Sequence, residues 1–347
     1  MNSDDVIQTE PQPTCPLCHT PGRVRYQDLT DRLFGATGVW TLKECPAPVC
    51  GSLWLDPRPT LADVGKAYRS YYTHGGAGLA RVVQWIVRAV AREHGAGRYG
   101  FSTSRLPGPG GRLVAALAAL YPGLREHLDL LVRYTAASRK GGGRLLDVGC
   151  GDGQSLEILA DLGWSVSGVE VDPSAVAVAR ARGLDVRQGT LADAAFAEDS
   201  FDLVTSSHVI EHVHDPADFL RQSLRVLRPG GGLVTVTPNA HAMLLEKHGA
   251  SWLALDPPRH LLLFTASSLE TLARAVGFRD ITVRSTARAV ALNEIASAQI
   301  EREGHYQWGQ WPGLPLWLRA QAQQLWEPLA MRLGRAEGEE LVLQAVK

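Results

Sequence analysis

Three groups of residues carry side chains that can do chemistry. Cys15, Cys18, Cys45 and Cys50 form a C-x2-C pair and a C-x4-C pair within the first fifty residues. Two close pairs of thiolates separated by a loop match a tetrahedral zinc site, and in a reducing compartment such pairs read as a metal clip before they read as disulfides. Four thiolates leave no open position on the ion, which makes such a zinc structural. A degenerate, metal-free fold and a redox role are the other readings. The second group is the turn Gly149-Cys150-Gly151-Asp152-Gly153, entered from Asp147. Alternate glycines let the backbone approach a ligand closely, and the helix that follows presents free N–H groups. The G-x-G-x-G spacing departs from the pyrophosphate fingerprint G-x-G-x-x-G, and Asp147 suits an ammonium group better than a phosphate. Further on, Glu170 offers a carboxylate that can accept both hydroxyls of a ribose. Another nucleotide site of dinucleotide-binding type is the plainer alternative. The third group is Ser207-His208-Val209-Ile210-Glu211-His212-Val213-His214-Asp215-Pro216, joined by His260 in Asp256-Pro257-Pro258-Arg259-His260. Histidine titrates near neutrality and suits proton removal.

These residues need elements to position them. From residue 144 onward strands and helices alternate, the pattern of a parallel sheet wound with helices. Apolar strands are expected at Arg144–Val148, Ser165–Glu170, Leu184–Arg187, Phe201–Ser206, Gly232–Thr237, Ile281–Ser285 and Glu340–Val346. Helices are expected over Gln154–Leu162, after Pro173, over Pro216–Leu227 and over Ser267–Val276. The glycine turn then leaves the first strand, and His208 leaves the fourth, at the carboxyl ends where such sheets bind ligands. Upstream, Leu79, Val82, Val83, Ile86, Val87 and Val90 repeat with helical period, with arginines between them. The spacing divides the chain into a loose tail over 1–14, a cysteine module over 15–60, a helical lid or linker over 61–140, and an α/β domain over 141–347. That domain carries a helical insertion at about 287–337 with Trp308, Trp311, Trp317 and Trp326.

Composition bounds what these groups can serve. Of 347 residues, 45% are hydrophobic and 20% charged, ordinary for a globular protein and too apolar for a disordered one. Lys+Arg number 35 and Asp+Glu 36, a net charge of −1 that sets up no global field toward nucleic acid. No stretch approaches the roughly 20 uncharged apolar residues of a membrane span. A cytoplasmic protein with no membrane span and no nucleic-acid partner is expected.

Residues 144–286 resemble the class I S-adenosylmethionine-dependent methyltransferases. The resemblance rests on Asp147-Val148-Gly149-Cys150-Gly151-Asp152-Gly153, Glu170, Ser200-Phe201-Asp202-Leu203-Val204, Leu227-Arg228-Pro229-Gly230-Gly231-Gly232 and Gly277-Phe278. It implies a Rossmann-like seven-stranded sheet whose last strand, at Leu341-Val342, runs antiparallel. It puts Asp147, Gly149, Gly151 and Gly153 on the methionine part of the cofactor, Glu170 on the ribose, Val171 against the adenine, and Thr190 and Leu191 near its other face. Cys15 to Tyr72 resembles the zinc-binding region that precedes many bacterial methyltransferase domains, which implies that Tyr72, beside Tyr71, lies against the cofactor. His208, Glu211 and His212 resemble the E-x-x-E-H metal site of the ubiquinone-pathway O-methyltransferases, and His260 stands where the small-RNA 2′-O-methyltransferases have a further histidine.

The expectation is therefore an S-adenosylmethionine-dependent methyltransferase with a structural zinc module and a small-molecule acceptor, most simply an O-methyltransferase of a metabolite. C- or N-methylation of a nucleotide-linked sugar or another intermediate, RNA methylation, and a non-catalytic cofactor-binding protein are the alternatives. For the histidines three readings stand: a base, with His208 first, then His260 and His212; a divalent ion on His208, Glu211 and His212; or bracing of a loop.

Overall fold

The computed structural model describes residues 6–69, 79–99, 113, 116, 117, 120–134 and 142–347. Five short strands open the chain: β1 Thr9–Glu10, β2 Arg23–Leu29, β3 Trp40–Glu44, β4 Leu53–Leu55 and β5 Arg58–Pro59. Thr9 and Glu10 pair antiparallel with Pro59 and Arg58, and Trp54 Nε1 donates to Gln12 O at 2.8 Å. Within the stretch 1–14 expected as a loose tail, Thr9, Glu10 and Gln12 are tied down by backbone pairing and a buried indole. A 3-10 turn over Val64–Tyr68 ends this part.

The main sheet has seven strands. They are β6 Arg144–Val148, β7 Ser165–Glu170, β8 Val186–Gln188, β9 Phe201–Ser207, β10 Leu227–Pro238, β12 Arg279–Thr286 and β13 Glu340–Val346. Their order is β12-β13-β10-β9-β6-β7-β8, with β13 antiparallel to both neighbours and the pairs from β10 to β8 parallel. Winding proceeds outward from β6 to β8 and then restarts at β9 on the other side of β6. The carboxyl ends of β6 and β9 therefore flank the switch in winding, where an open α/β sheet forms its crevice.

Buried on both faces, a central parallel strand needs apolar residues throughout. Leu145 and Leu146 are both fully buried and, one pleat apart, enter different cores. Leu145 packs with Leu156, Leu159 and Leu203, Leu146 with Val204, Leu233 and Phe264. The helices on these faces are α3 Gln154–Asp161, α4 Pro173–Ala181, α5 Pro216–Val226 and α7 Ala266–Val276. Local chemistry starts and stops them. Asp172 and Asp215 accept from backbone N–H groups with proline at the next position, Thr265 and Ser268 form a reciprocal capping box, and Gly277 ends α7 at φ 114°.

The other helices are α1 Leu79–Tyr99, α2 Pro122–Leu131, α6 Met243–His248, α8 Val290–Glu303 and α9 Leu314–Arg332. Arg88 of α1 pairs with Glu157 and Asp161 of α3 at 2.9 and 2.7 Å, so α1 lies along the outside of the sheet layer. Trp311, Trp317 and Trp326 are exposed.

The amino-terminal sheet borrows its last strand. Its order is β11-β4-β3-β2, and β11 is Leu262–Leu263, over 200 residues downstream of β4. Cys15, Cys45, Cys50 and Trp54 share one core with Phe264 and Leu269 of the α/β domain. A module too small to bury a core alone is completed by the larger one.

Candidate functional site

Three glycines leave β6 in the left-handed region, with φ of 73° at Gly149, 56° at Gly151 and 83° at Gly153. Two of them are small for packing: a Cβ on Gly149 meets Val209 at 2.4 Å, and one on Gly153 meets Leu184 at 2.3 Å. Gly151 has nothing within 4 Å and opens the crevice. Glu170, at the end of β7, accepts from Gly151 N and from Asp172 N, each at 2.9 Å. Next to it Val171 is exposed, an apolar side chain at the rim of the same turn. Asp193 accepts from Thr190 N at 3.0 Å and from its hydroxyl at 2.6 Å, while Leu191 is buried beneath. Tyr72, and Tyr71 with it, lie outside the described residues.

Asp147 has partners within the chain. Its Oδ1 accepts from Thr205 Oγ1 at 2.7 Å and its Oδ2 from Arg133 Nη2 at 2.6 Å, all three residues being buried. The carboxylate expected to face an ammonium group is neutralised from within the chain, because a buried charge of either sign needs a partner. Arg133 follows α2 in a left-handed conformation, φ 54°. It carried no motif in the sequence, and only its place in the fold marks it.

At the end of β9, His208 turns into the crevice with φ 55°. Its Nδ1 lies 3.0 Å from Glu211 Oε1 and its Nε2 3.0 Å from Glu340 Oε1. Burial pushes the imidazole down, but the hydrogen bonds to Glu211 and Glu340 outweigh it and lift the pKa to about 9. Both ring nitrogens thus face carboxylates, and Arg288 Nη2 also lies 3.2 Å from Nε2. His208, expected first as the base, is held in this way between Glu211 and Glu340. Arg288 holds Glu340 from the other side, its Nε donating to Oε2 at 2.7 Å.

His212 and His260 behave oppositely. Burial holds both near a pKa of about 4, so both rings are neutral. His260 Nδ1 donates to Ala254 O at 2.7 Å, and His212 Nδ1 donates to Arg259 O at 3.0 Å with the Tyr68 hydroxyl 2.9 Å away. A neutral ring that donates from Nδ1 keeps its lone pair on Nε2. The two rings stand edge to face at 4.7 Å, and His260 Nε2 is 4.0 Å from Glu211 Oε1. Ligand atoms of Glu211, His212 and His260 lie within 4.8 Å of one another. The set read from the sequence is His208 with Glu211 and His212; the ligand atoms that converge are those of Glu211, His212 and His260, while His208 lies between Glu211 and Glu340. Two neutral imidazoles and a carboxylate suit a divalent first-row ion.

These histidines rest on a buried arginine that no motif in the sequence marks. Arg259 is fully buried, donates to both Asp31 oxygens at 2.7 and 2.8 Å and to Ala67 O at 3.1 Å, and pairs with Asp256. Asp31 and Tyr68 belong to the amino-terminal part, which thus reaches the histidine loop directly.

The four cysteines converge. Cys15 Sγ lies 3.7 Å from Cys50 Sγ, Cys18 Sγ 3.4 Å from Cys45 Sγ, and all four lie within 4.8 Å. A tetrahedron with Zn–S bonds of about 2.3 Å has edges of about 3.8 Å, which the sulfurs meet with small adjustments. The longer second knuckle fits because Cys50 N donates back to Ala47 O at 2.9 Å, closing the extra residues into a turn. Cys50 O accepts from Thr265 Oγ1 at 2.6 Å, which fastens the cluster to the cap of α7.

Comparison with known proteins adds a family. The model of a methyltransferase domain matches residues 123–283. A probable S-adenosylmethionine-dependent methyltransferase of Mycolicibacterium smegmatis is 38% identical over 138 residues, 39% of this chain and 53% of that protein. A ubiquinone biosynthesis O-methyltransferase of Xanthomonas oryzae is 41% identical over 127 residues, 34% of this chain and 53% of that protein. The chain spans about half the length of these curated relatives. Among solved structures, a SAM dependent methyltransferase from Archaeoglobus fulgidus is 17% identical over 67% of this chain and 98% of its own, with a TM-score of 0.46.

Proposed function

We propose, for a chain that carries a class I S-adenosylmethionine-dependent methyltransferase domain, that it binds S-adenosylmethionine in the crevice at β6 and β7 and transfers the methyl group to a small-molecule acceptor. The observation that carries this reading is the pairing of the open turn at Gly151 with Glu170 and the exposed Val171. A carboxylate that accepts only backbone N–H groups can turn to two ribose hydroxyls, and an uncovered apolar side chain beside it offers a face to the adenine. Gly151, free of neighbours, leaves room for the methionine portion. Asp147 in this reading holds the floor of the turn through Arg133 and Thr205. The bound cofactor supplies a sulfonium methyl for in-line displacement, and the chain's task is to orient the acceptor and, for a hydroxyl, to receive its proton. Zinc on the four cysteines is a structural clip in the same proposal. Calorimetric titration with S-adenosylmethionine tests it: Glu170→Ala is expected to weaken binding by about 1.5–3 kcal/mol, the worth of hydrogen bonds to a charged group. Unchanged affinity refutes the assignment.

A second observation favours O-methylation with a divalent ion. Glu211, His212 and His260 present a carboxylate and two neutral rings to one point, and relatives are named as O-methyltransferases. In this reading the three residues hold the ion, which lowers the pKa of an acceptor hydroxyl, while Glu340 and His208 brace Glu211 from behind. Titration of chelated protein with Mg²⁺ or Mn²⁺ by calorimetry is expected to give a single site, lost in Glu211→Gln and His260→Ala and kept in His208→Gln. Absence of any site in the wild type leaves His260 Nε2 as an unassisted base.

A further inference from the structure

Helix α9 is packed inside out. Its inward positions are Ala320, Gln324, Glu327 and Ala330, all buried. Polar contacts hold them: Gln324 Nε2 donates to Ala287 O at 2.6 Å, and its Oε1 accepts from Ala291 N at 3.0 Å. Both oxygens of the fully buried Glu327 lack a hydrogen bond of ordinary geometry. The outward positions are apolar: Leu314, Trp317, Leu318, Leu325, Trp326 and Leu329 are all exposed. Trp311 in the preceding loop and Leu333 after the helix lengthen the stripe. An amphipathic helix on a globular domain turns such a stripe inward, so an outward one of this length needs something apolar to lie on.

Charge says what that surface is. Between residues 304 and 335 the charged residues are Arg319, Glu327, Arg332 and Arg335. The one acid among them is buried, whereas the three arginines are exposed. Arg319 also reaches Glu294 at 2.7 Å from the rim. Within residues 304–335 the exposed charges are thus all cationic, beside exposed leucines and tryptophans. Tryptophan favours the boundary between lipid and water, and an anionic leaflet attracts arginine. A second copy would set the same cations against each other. We propose that α9, with the tryptophan-bearing loop before it, docks on the surface of an anionic lipid bilayer. Docking here is peripheral, since no helix among the described residues is long and apolar enough to cross a membrane.

Co-sedimentation of the full chain with vesicles of phosphatidylcholine, with or without about one third phosphatidylglycerol, tests this. The protein is expected to pellet with anionic vesicles, with a blue shift of tryptophan fluorescence, and to be released as salt rises. Trp317→Ser with Leu325→Ser should lower the partition about tenfold or more. Arg332→Glu with Arg335→Glu should lower it by a similar factor on anionic vesicles alone. All four positions are exposed, so an unchanged unfolding temperature certifies the fold. If a variant does not fold, the lipid and salt dependence of the wild type decides. Failure to bind either vesicle overturns the proposal. So does a dimer, seen by light scattering and dissociated by the serine variants, that ignores vesicles: the face would then belong to a second copy.

Discussion

Asp147 and Glu170 end neighbouring parallel strands and both are carboxylates, yet the chain treats them differently. Arg133 and Thr205 occupy Asp147 from within, while Glu170 touches only backbone N–H groups at the open turn. Type and spacing announce both acids in the sequence; which of them is free is a matter of what residue 133 does after a helix ends. Glu327 poses the same question without an answer from within. Burial first, and then the nearby Glu339, push its carboxyl up to about 9. An acid raised in the folded state costs nothing below its unfolded value near 4.5, and destabilises increasingly as pH rises from there toward 9. Glu327→Gln removes that penalty. It is expected to raise stability at pH 8 by about 1–3 kcal/mol and to change it little at pH 4, measured by urea unfolding at both. An equal gain at both pH values would assign the effect to packing instead.

The sheet elements are legible from their apolar runs between turn signals: Arg144–Val148, Ser165–Glu170 and Glu340–Val346 are observed at the expected residues. Elements made by their surroundings were not. Leu262–Leu263 is too short to carry a pattern and is a strand only because β4 offers it an edge. Thr9–Glu10, in a stretch read as loose, is likewise ordered by Arg58–Pro59 across from it. The cysteine clip belongs to this scale, for it fastens strands that bury little of their own. Protein purified without chelator is expected to contain about one zinc ion per chain by elemental analysis. Cys18→Ser should lose the metal and several degrees of thermal stability, because Cys18 closes the cluster against Cys45, which with Cys15 and Cys50 shares a core with Phe264 and Leu269. A metal-free wild type, with four titratable thiols and the same melting temperature, would make the clip dispensable.

For the whole molecule, the sequence announced a site at the ends of the first and fourth strands, and the histidines meet there. What it did not announce is the frame behind them: Arg259 with Asp31 and Asp256, Glu340 with Arg288, and Tyr68 on His212. Each joins residues far apart in the chain, and no local period or spacing encodes such a pair. The borrowed strand has the same origin and sets an order of events. During synthesis the first sixty residues leave the ribosome with the edge of Leu53–Leu55 bare, and some two hundred more must be translated before Leu262–Leu263 arrives to cover it. Through that interval four cysteines within thirty-six residues are what the nascent segment has to hold itself together. The clip would then matter most before the protein is finished, guarding an exposed strand edge against neighbouring chains until the rest of the fold closes over it.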